Sequence, residues 1–464
     1  MKRTFDLLKY LNEDRHSQTI VWLCNIGAEK YWNETSKGFT DPYEEGIVNR
    51  MEEVNLLLCR KQDIMILREY PDKDYLEMLK RFGFSIPTIL VPENSDELTP
   101  ISELVLRDKK LQDKIRAISE SMEKAYFMPF AITCHEEQIA KNCNLEIIGS
   151  PSSINALIND KINNRCLAEK LGFRVCEGKV CGSIDEVRKE YYRLREEPCC
   201  FNKVIIKEPH GASGKCSYII EDERKLEPVL KMIDKLSRHK SERRWVVEGW
   251  YDKKSDVNYQ LYISDEGEVD VFSITRQILR GVVYEGSQYP SDFDNAVINE
   301  YMNFGKKLGK ALYEMGYKGI AGVDSIITDE GIIPVVEING RLVVSTYTSI
   351  LAQIMGDVKT RVKYYNVVSA NLLNYKYMCE MLSKEGLLYD KDKKEGIILC
   401  TSGTLPQKKF YDSSKYIGRI IALIVSSKWE TVKSLICALD KLILHCSKED
   451  LGDEVKTVGN KIAE

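Results

Sequence analysis

A chain of 464 residues is too long to fold around one hydrophobic core, so two to four domains or subdomains are expected. Lys and Arg number 67 against 71 Asp and Glu, a balance of −4 with no basic stripe, which argues against a nucleic-acid partner. The longest apolar runs, such as Ile420 to Val425, are too short to span a membrane, and the amino-terminal stretch has no signal-peptide core. The 14 cysteines are scattered without CxxC spacing, so reduced thiols in a cytoplasmic protein are expected.

In chain order, Thr19–Cys24 reads as a buried strand and Ile47–Leu58 as a helix. Asp63–Leu67 is a second strand, Lys73–Phe82 a second helix and Ser85–Val91 a third strand. This βαβαβ rhythm predicts a parallel sheet with helices on its faces, over residues 1–135. No GxGxxG follows the first strand, so a dinucleotide site has no support.

From Glu146 the texture changes. Ser150-Pro151-Ser152-Ser153 signals a helix start, and Asn159-Asp160-Lys161 is expected on a helix. Val204–Lys207 is a strand, Pro209–Lys215 a turn-rich loop, and Ser217–Ile220 resumes strand. A helix near Lys225–Leu236 precedes the strand Trp245–Glu248; the cluster Arg238-His239-Lys240 with Arg243-Arg244 reads as its solvated end. Asn258–Ile263 pairs with Val269–Ile274, and Tyr301–Met315 is a helix. Gly319–Ile327 and Ile332–Ile338 form a hairpin. The tail from about Lys376, with a strand pair and the helix Trp429–Ile443, reads as a small separate α/β unit.

The hairpin carries the sharpest chemical signal. Strand alternation points Glu337, Asn339 and Arg341 the same way, and the short turn brings Asp324 beside them. Two carboxylates and a carboxamide form a hard oxygen site suited to Mg²⁺; a hairpin with one solvated face shows the same alternation. Gly211 and Gly214 allow backbone amides close to a phosphate, with Ser213 and Lys215 adding a hydroxyl and a charge. That loop is not a Walker A loop, since Pro209 and Cys216 stand where glycine and a hydroxyl residue would be, and an ordinary β-turn fits it as well.

These elements occur in an order that resembles the ATP-grasp superfamily: Asn159-Asp160-Lys161, then Ile206-Lys207 with His210-Gly211-Ala212-Ser213-Gly214, then Val247-Glu248-Gly249-Trp250-Tyr251, then Asp324 and Glu337-Ile338-Asn339. The resemblance implies a Rossmann-like pre-ATP-grasp domain (1–135), a two-lobed core (136–372, lid roughly 173–250) and a small C-terminal α/β domain (373–464). The order of these units is similar to that of the peptide ligase of pheganomycin biosynthesis and its relatives. Biotin carboxylase is less similar at the C-terminal end.

The implied roles follow position by position. Lys161 and Lys207 would reach ATP phosphates, with Gly211, Ser213 and Gly214 closing over them. Glu248 would accept from the adenine amino group, while the backbone at Trp250 and Tyr251 reads the ring edge, and Asp256 would hold the ribose. Asp324, Glu337 and Asn339 would hold two Mg²⁺ ions. Arg341 and Lys207 would be catalytic, Arg341 stabilising an acyl phosphate. Arg276 and Arg280, in the segment leading to Tyr289-Pro290, are candidates for a substrate carboxylate, although pairing with nearby surface acids fits them equally. The implied activity is ATP-dependent joining of a small-molecule or peptide carboxylate to an amine. A carboxylase or kinase-like enzyme, or a non-catalytic nucleotide-binding scaffold, shares the same core, and a homodimer is the family habit.

Overall fold

The computed structural model describes residues 18–32, 41–122, 124–211, 216–238, 243–281, 283–409 and 415–448, together with Leu7 and Lys9. The amino-terminal sheet consists of β1 (Thr19–Leu23), β2 (Ile64–Ile66), β3 (Thr88–Leu90), β4 (Ala125–Pro129) and β5 (Glu146–Ile147). They lie in the order β3-β2-β1-β4-β5, with every pairing parallel. Helices cover both faces, so β1 is buried at every position and reads as an apolar run rather than an alternation. The expected helix at 47–58 divides into an α-helix, Pro42–Arg50, capped by Asp41, and a 3₁₀ stretch, Met51–Leu57. Chain order reverses between β1 and β4, the point where open parallel sheets form a crevice.

A second, antiparallel sheet forms the lid: β6 (Gly178–Cys181), β7 (Val204–Lys207), β8 (Ser217–Ile220) and β9 (Trp245–Gly249), in the order β6-β9-β7-β8. The helices Ile184–Arg195 and Leu226–Ser237 pack on it through Val187, Tyr191, Leu230 and Ile233, giving the lid its own core.

The large sheet contains β10 (Lys253–Ile263), β11 (Val269–Arg280), β12 (Val283–Tyr289), β13 (Gly319–Thr328), β14 (Gly331–Asn339), β15 (Lys359–Ser369), β16 (Gly396–Leu399), β17 (Lys408–Lys409) and β18 (Tyr416–Ser426). Its order is β14-β13-β10-β11-β12-β15-β18-β16, with β17 beside β18. The helix Asn295–Glu314 lies on one face so closely that a Cβ at Gly305 would meet Val271 Cγ2 at 2.7 Å. The helix Val344–Met355 packs on the opposite face.

The C-terminal segment has its own helices, Tyr375–Lys384 and Trp429–Lys448, but its strands do not stand apart. β18 pairs with β15 along eleven residues and so extends the core sheet. An eleven-residue strand as apolar as β18 would otherwise leave a long unpaired edge. The same segment shares a core with the amino-terminal domain: the Tyr75 and Tyr375 rings lie 4.9 Å apart, and the Tyr75 hydroxyl donates to Cys400 O at 2.6 Å.

Candidate active site

The site lies where the lid sheet faces the β13–β14 hairpin, and one short helix links the two. Asn159 ends the helix Ser152–Ile158, and Asp160 caps the next, Lys161–Lys170, by accepting from the Ile162 and Asn163 amides. The Asn-Asp-Lys motif is therefore the junction of two helices rather than the middle of one. Asn164 Oδ1 accepts from the Ile338 amide at 2.7 Å, and Asn159 Oδ1 from the Gly340 amide at 3.2 Å, so the junction is fastened to the hairpin beside its polar residues.

Asp324 and Glu337 are direct cross-strand partners. Asp324 Oδ1 accepts from Asn258 Nδ2 at 2.9 Å and Gln277 Nε2 at 3.0 Å, and its Oδ2 accepts from Asn339 Nδ2 at 3.1 Å. Burial, with Glu337 nearby, pushes the Asp324 carboxyl up to about 6. The Lys161 ammonium meets Glu337 at 3.0 Å and donates to Gly211 O at 2.6 Å. In this state Gly211 contributes a carbonyl to the lysine. Ser213 and Gly214 lie outside the described residues.

Across the cleft, Lys207 donates to Glu248 Oε2 at 2.6 Å. Burial works against the Lys207 charge, yet Glu248 leaves its pKa raised. The second oxygen of Glu248 accepts from Arg165 Nη1 at 2.7 Å. Lys161, Arg165, Lys207, Glu248 and the apolar Val175, Val246, Val335 and Val336 line one pocket.

Of the backbone groups expected to read the ring edge, the Trp250 amide is already committed to Lys203 O at 2.9 Å. The Tyr251 ring packs on Phe201 at 5.0 Å, and its hydroxyl accepts from the Glu177 amide at 3.2 Å. Asp256 binds Lys253 at 2.6 Å, and burial raises its pKa. Arg341 lies over the Phe130 ring at 5.3 Å, at the end of β4, and donates to Leu342 O. The parallel-sheet crevice thus opens towards the hairpin.

Two candidates do not join this group. Arg276 neighbours Gln277 on β11 and so projects from the opposite face, where it meets Asp292 at 2.7 Å, Ser255 and the Phe293 ring. Arg280 is three-quarters exposed and paired with Glu285 at 2.8 Å. The surface-pair alternative describes both.

The sequence reading missed Arg165, Asn258 and Gln277. Arg165 lies one helical turn after Lys161, a spacing that puts both on one face. Gln277 lies on the face of β11 that Asn258 and Asp256 share on β10.

The residues fit a divalent cation. Among the described residues no group of three or more His, Cys, Asp or Glu is placed to hold a metal. Two carboxylates and a carboxamide instead suit Mg²⁺, which fills its shell with water and phosphate oxygens.

Family models match along the chain: a Pre ATP-grasp domain over residues 51–145, an ATP-grasp domain over 187–345 and a PGM1 C-terminal domain over 378–435. Residues 187–345 thus form an ATP-grasp domain, preceded and followed by the two other matched units. Among curated relatives, the chain is 28% identical over 338 residues to the [butirosin acyl-carrier protein]–L-glutamate ligase of Niallia circulans, covering 72% of this chain and 74% of that one. It is 23% identical to the L-propargylglycine–L-glutamate ligase of Streptantibioticus cattleyicolor, covering 68% and 72%. In fold it is similar to an N5-carboxyaminoimidazole ribonucleotide synthetase solved with ADP (TM-score 0.55, 13% identity, 97% of this chain and 100% of that one). The biotin carboxylase domain of the Hydrogenobacter thermophilus 2-oxoglutarate carboxylase is also similar (TM-score 0.54, 15% identity, 91% and 89%). This chain therefore has the layout of an ATP-grasp ligase. Among the described residues, no helix is long and apolar enough to cross a membrane.

Proposed function

We propose that this ATP-grasp chain is an ADP-forming ligase that activates a carboxylate as an acyl phosphate and joins it to an amine. The observation that carries the reading is the hairpin Asp324–Glu337–Asn339 facing Lys161 on one side, with Lys207 across the lid cleft. A carboxylate is a poor electrophile. Its oxygen attacks the γ-phosphorus of ATP, the bond to the β-phosphate oxygen breaks, and ADP leaves. Lys161 and Lys207 bind the phosphates and offset the repulsion between two anions. Asp324, Glu337 and Asn339 would hold Mg²⁺, two ions in this reading, which supplies further charge neutralisation along the phosphates. Arg341 neutralises the oxygen that gains charge when the amine attacks the acyl phosphate. The lid excludes water from that intermediate.

Both ligase relatives name L-glutamate as a joined partner, so amino acids are the substrate class to test first. A carrier-protein substrate follows, by the butirosin relative. Cytoplasmic residence and a homodimer complete the reading.

The test is ADP release from amino-acid pools, with product mass read directly. A carboxylate labelled with ¹⁸O should pass label to the released phosphate, and hydroxylamine should trap a hydroxamate when the amine is withheld. Release of AMP and pyrophosphate would sink the mechanism. Unlabelled phosphate without hydroxamate would sink the ligase assignment.

A further inference from the structure

Arg165 is 7% exposed and belongs to the core helix Lys161–Lys170, yet three of its contacts are to the lid. Its Nη1 donates to Glu248 Oε1 at 2.7 Å and to Cys176 O at 2.9 Å, and its Nη2 donates to Gly178 O at 2.7 Å. Only Nε turns back to its own helix, to Glu169 at 3.0 Å. One planar fork thus joins β9, the strand bearing Glu248, to β6 and the loop that leads into it. Those two strands are already so close that a Cβ at Gly178 would stand 2.1 Å from Val247 O. One turn earlier on the same face, Lys161 reaches Glu337. The helix itself is fastened to the hairpin by Asn164. A single rigid turn therefore fixes the distance from the hairpin carboxylate to the lid carboxylate.

We propose that Arg165 is a positioning residue that sets base selectivity, by holding Glu248 as an acceptor-only carboxylate at the adenine edge. This rests on the reading of Glu248 as the partner of the adenine amino group. With Lys207 on Oε2 and Arg165 on Oε1, neither oxygen can rotate away, and the carboxylate offers only lone pairs. A 6-amino base donates to it, whereas a 6-oxo base brings a second acceptor and is repelled. Lysine cannot replace the fork, because one ammonium does not span the carboxylate and both carbonyls.

The test is calorimetric titration of the full chain with Mg·ATP and Mg·ITP, whose bases differ in having 6-amino or 6-oxo. R165M, R165K and E248Q are compared with wild type, and thermal unfolding of each reports folding. Wild type should prefer ATP. R165M should lose about tenfold in ATP affinity, the scale of one charge-assisted hydrogen bond, and much less for ITP, so the preference collapses. R165K should lose part of it, and it decides the matter if R165M does not fold. E248Q, whose amide both donates and accepts, should bind the two nucleotides alike. Collapse in E248Q with an intact preference in R165M, or in R165K where R165M does not fold, would overturn the role of Arg165 and leave Glu248 as the reader. An intact preference in E248Q would remove the Glu248 reading and the proposal with it.

Discussion

Replacing Asp324 with asparagine isolates one strained charge. The carboxyl has an ordinary value of 3.8 and is pushed up to about 6, first by burial and then by Glu337. The ionised form is therefore disfavoured in the folded protein. Below 3.8 the group is protonated in both states and costs nothing. As pH rises from 3.8 through 6 the unfolded chain sheds the proton more readily, and stability is lost. The full interval is worth at most about 3 kcal/mol, complete above about pH 7. D324N has nothing to titrate there. Its amide must point a donor at one of the donors from Asn258, Gln277 and Asn339, a roughly constant cost of about 1–3 kcal/mol. The informative quantity is thus a slope. In urea unfolding with EDTA, the stability of D324N minus that of wild type should rise by about 2 kcal/mol between pH 4.5 and pH 7.5. A difference that stays flat within about 0.5 kcal/mol would refute the account of a buried carboxylate opposed by Glu337. Adding Mg·ATP at pH 7.5 should stabilise wild type much more than D324N, since an amide oxygen offers the ion a ligand without the negative charge.

Three further substitutions separate the parts of the site. E337Q should abolish ADP release while leaving the thermal midpoint within a few degrees of wild type, because the side chain is a quarter exposed and loses only the pair with Lys161; near-normal turnover would displace the metal site. K207A should weaken ATP binding by about 1.5–3 kcal/mol in calorimetry, and unchanged affinity would make Lys207 a lid ion pair only. R280A should leave both KM and stability within about 0.5 kcal/mol of wild type, since an exposed pair with Glu285 contributes little; a large rise in KM for a carboxylate would restore it as a substrate residue.

What the sequence made legible was local or ordered. Asp324 and Glu337 fall opposite one another because alternation and a short turn suffice to place them. The parallel amino-terminal sheet followed from its βαβαβ rhythm. Contacts that cross strands were not legible. Gln277 reaches Asp324 over the intervening strand β10, and nothing near residue 277 in the chain announces it. Arg276 attracted attention as a charge, but charge says nothing of direction, and its parity sends it to the other face. The C-terminal tail looked independent because its strands are separated in sequence from the core by helix and loop. Its longest strand nevertheless completes the core sheet.

The charges of the site explain why these separate contacts belong to one device. Lys161 lies against Glu337, and Lys207 and Arg165 against Glu248, so among the described residues each of these three cations at the cleft already has a carboxylate partner. A bare nucleotide tetra-anion would find those cations engaged and would face Asp324 and Glu337 at like charge. A nucleotide carrying a divalent cation presents the opposite balance: the ion supplies the hairpin acids with a partner, and Lys161 is released towards phosphate. Exchange of partners, rather than filling of an unpaired basic pocket, is then what binding requires. It also ties the two ends of the nucleotide together, because Lys161 and Arg165 share one face of one helix. Drawing Lys161 from Glu337 would act on the same turn from which Arg165 holds Glu248, the residue proposed for the adenine edge.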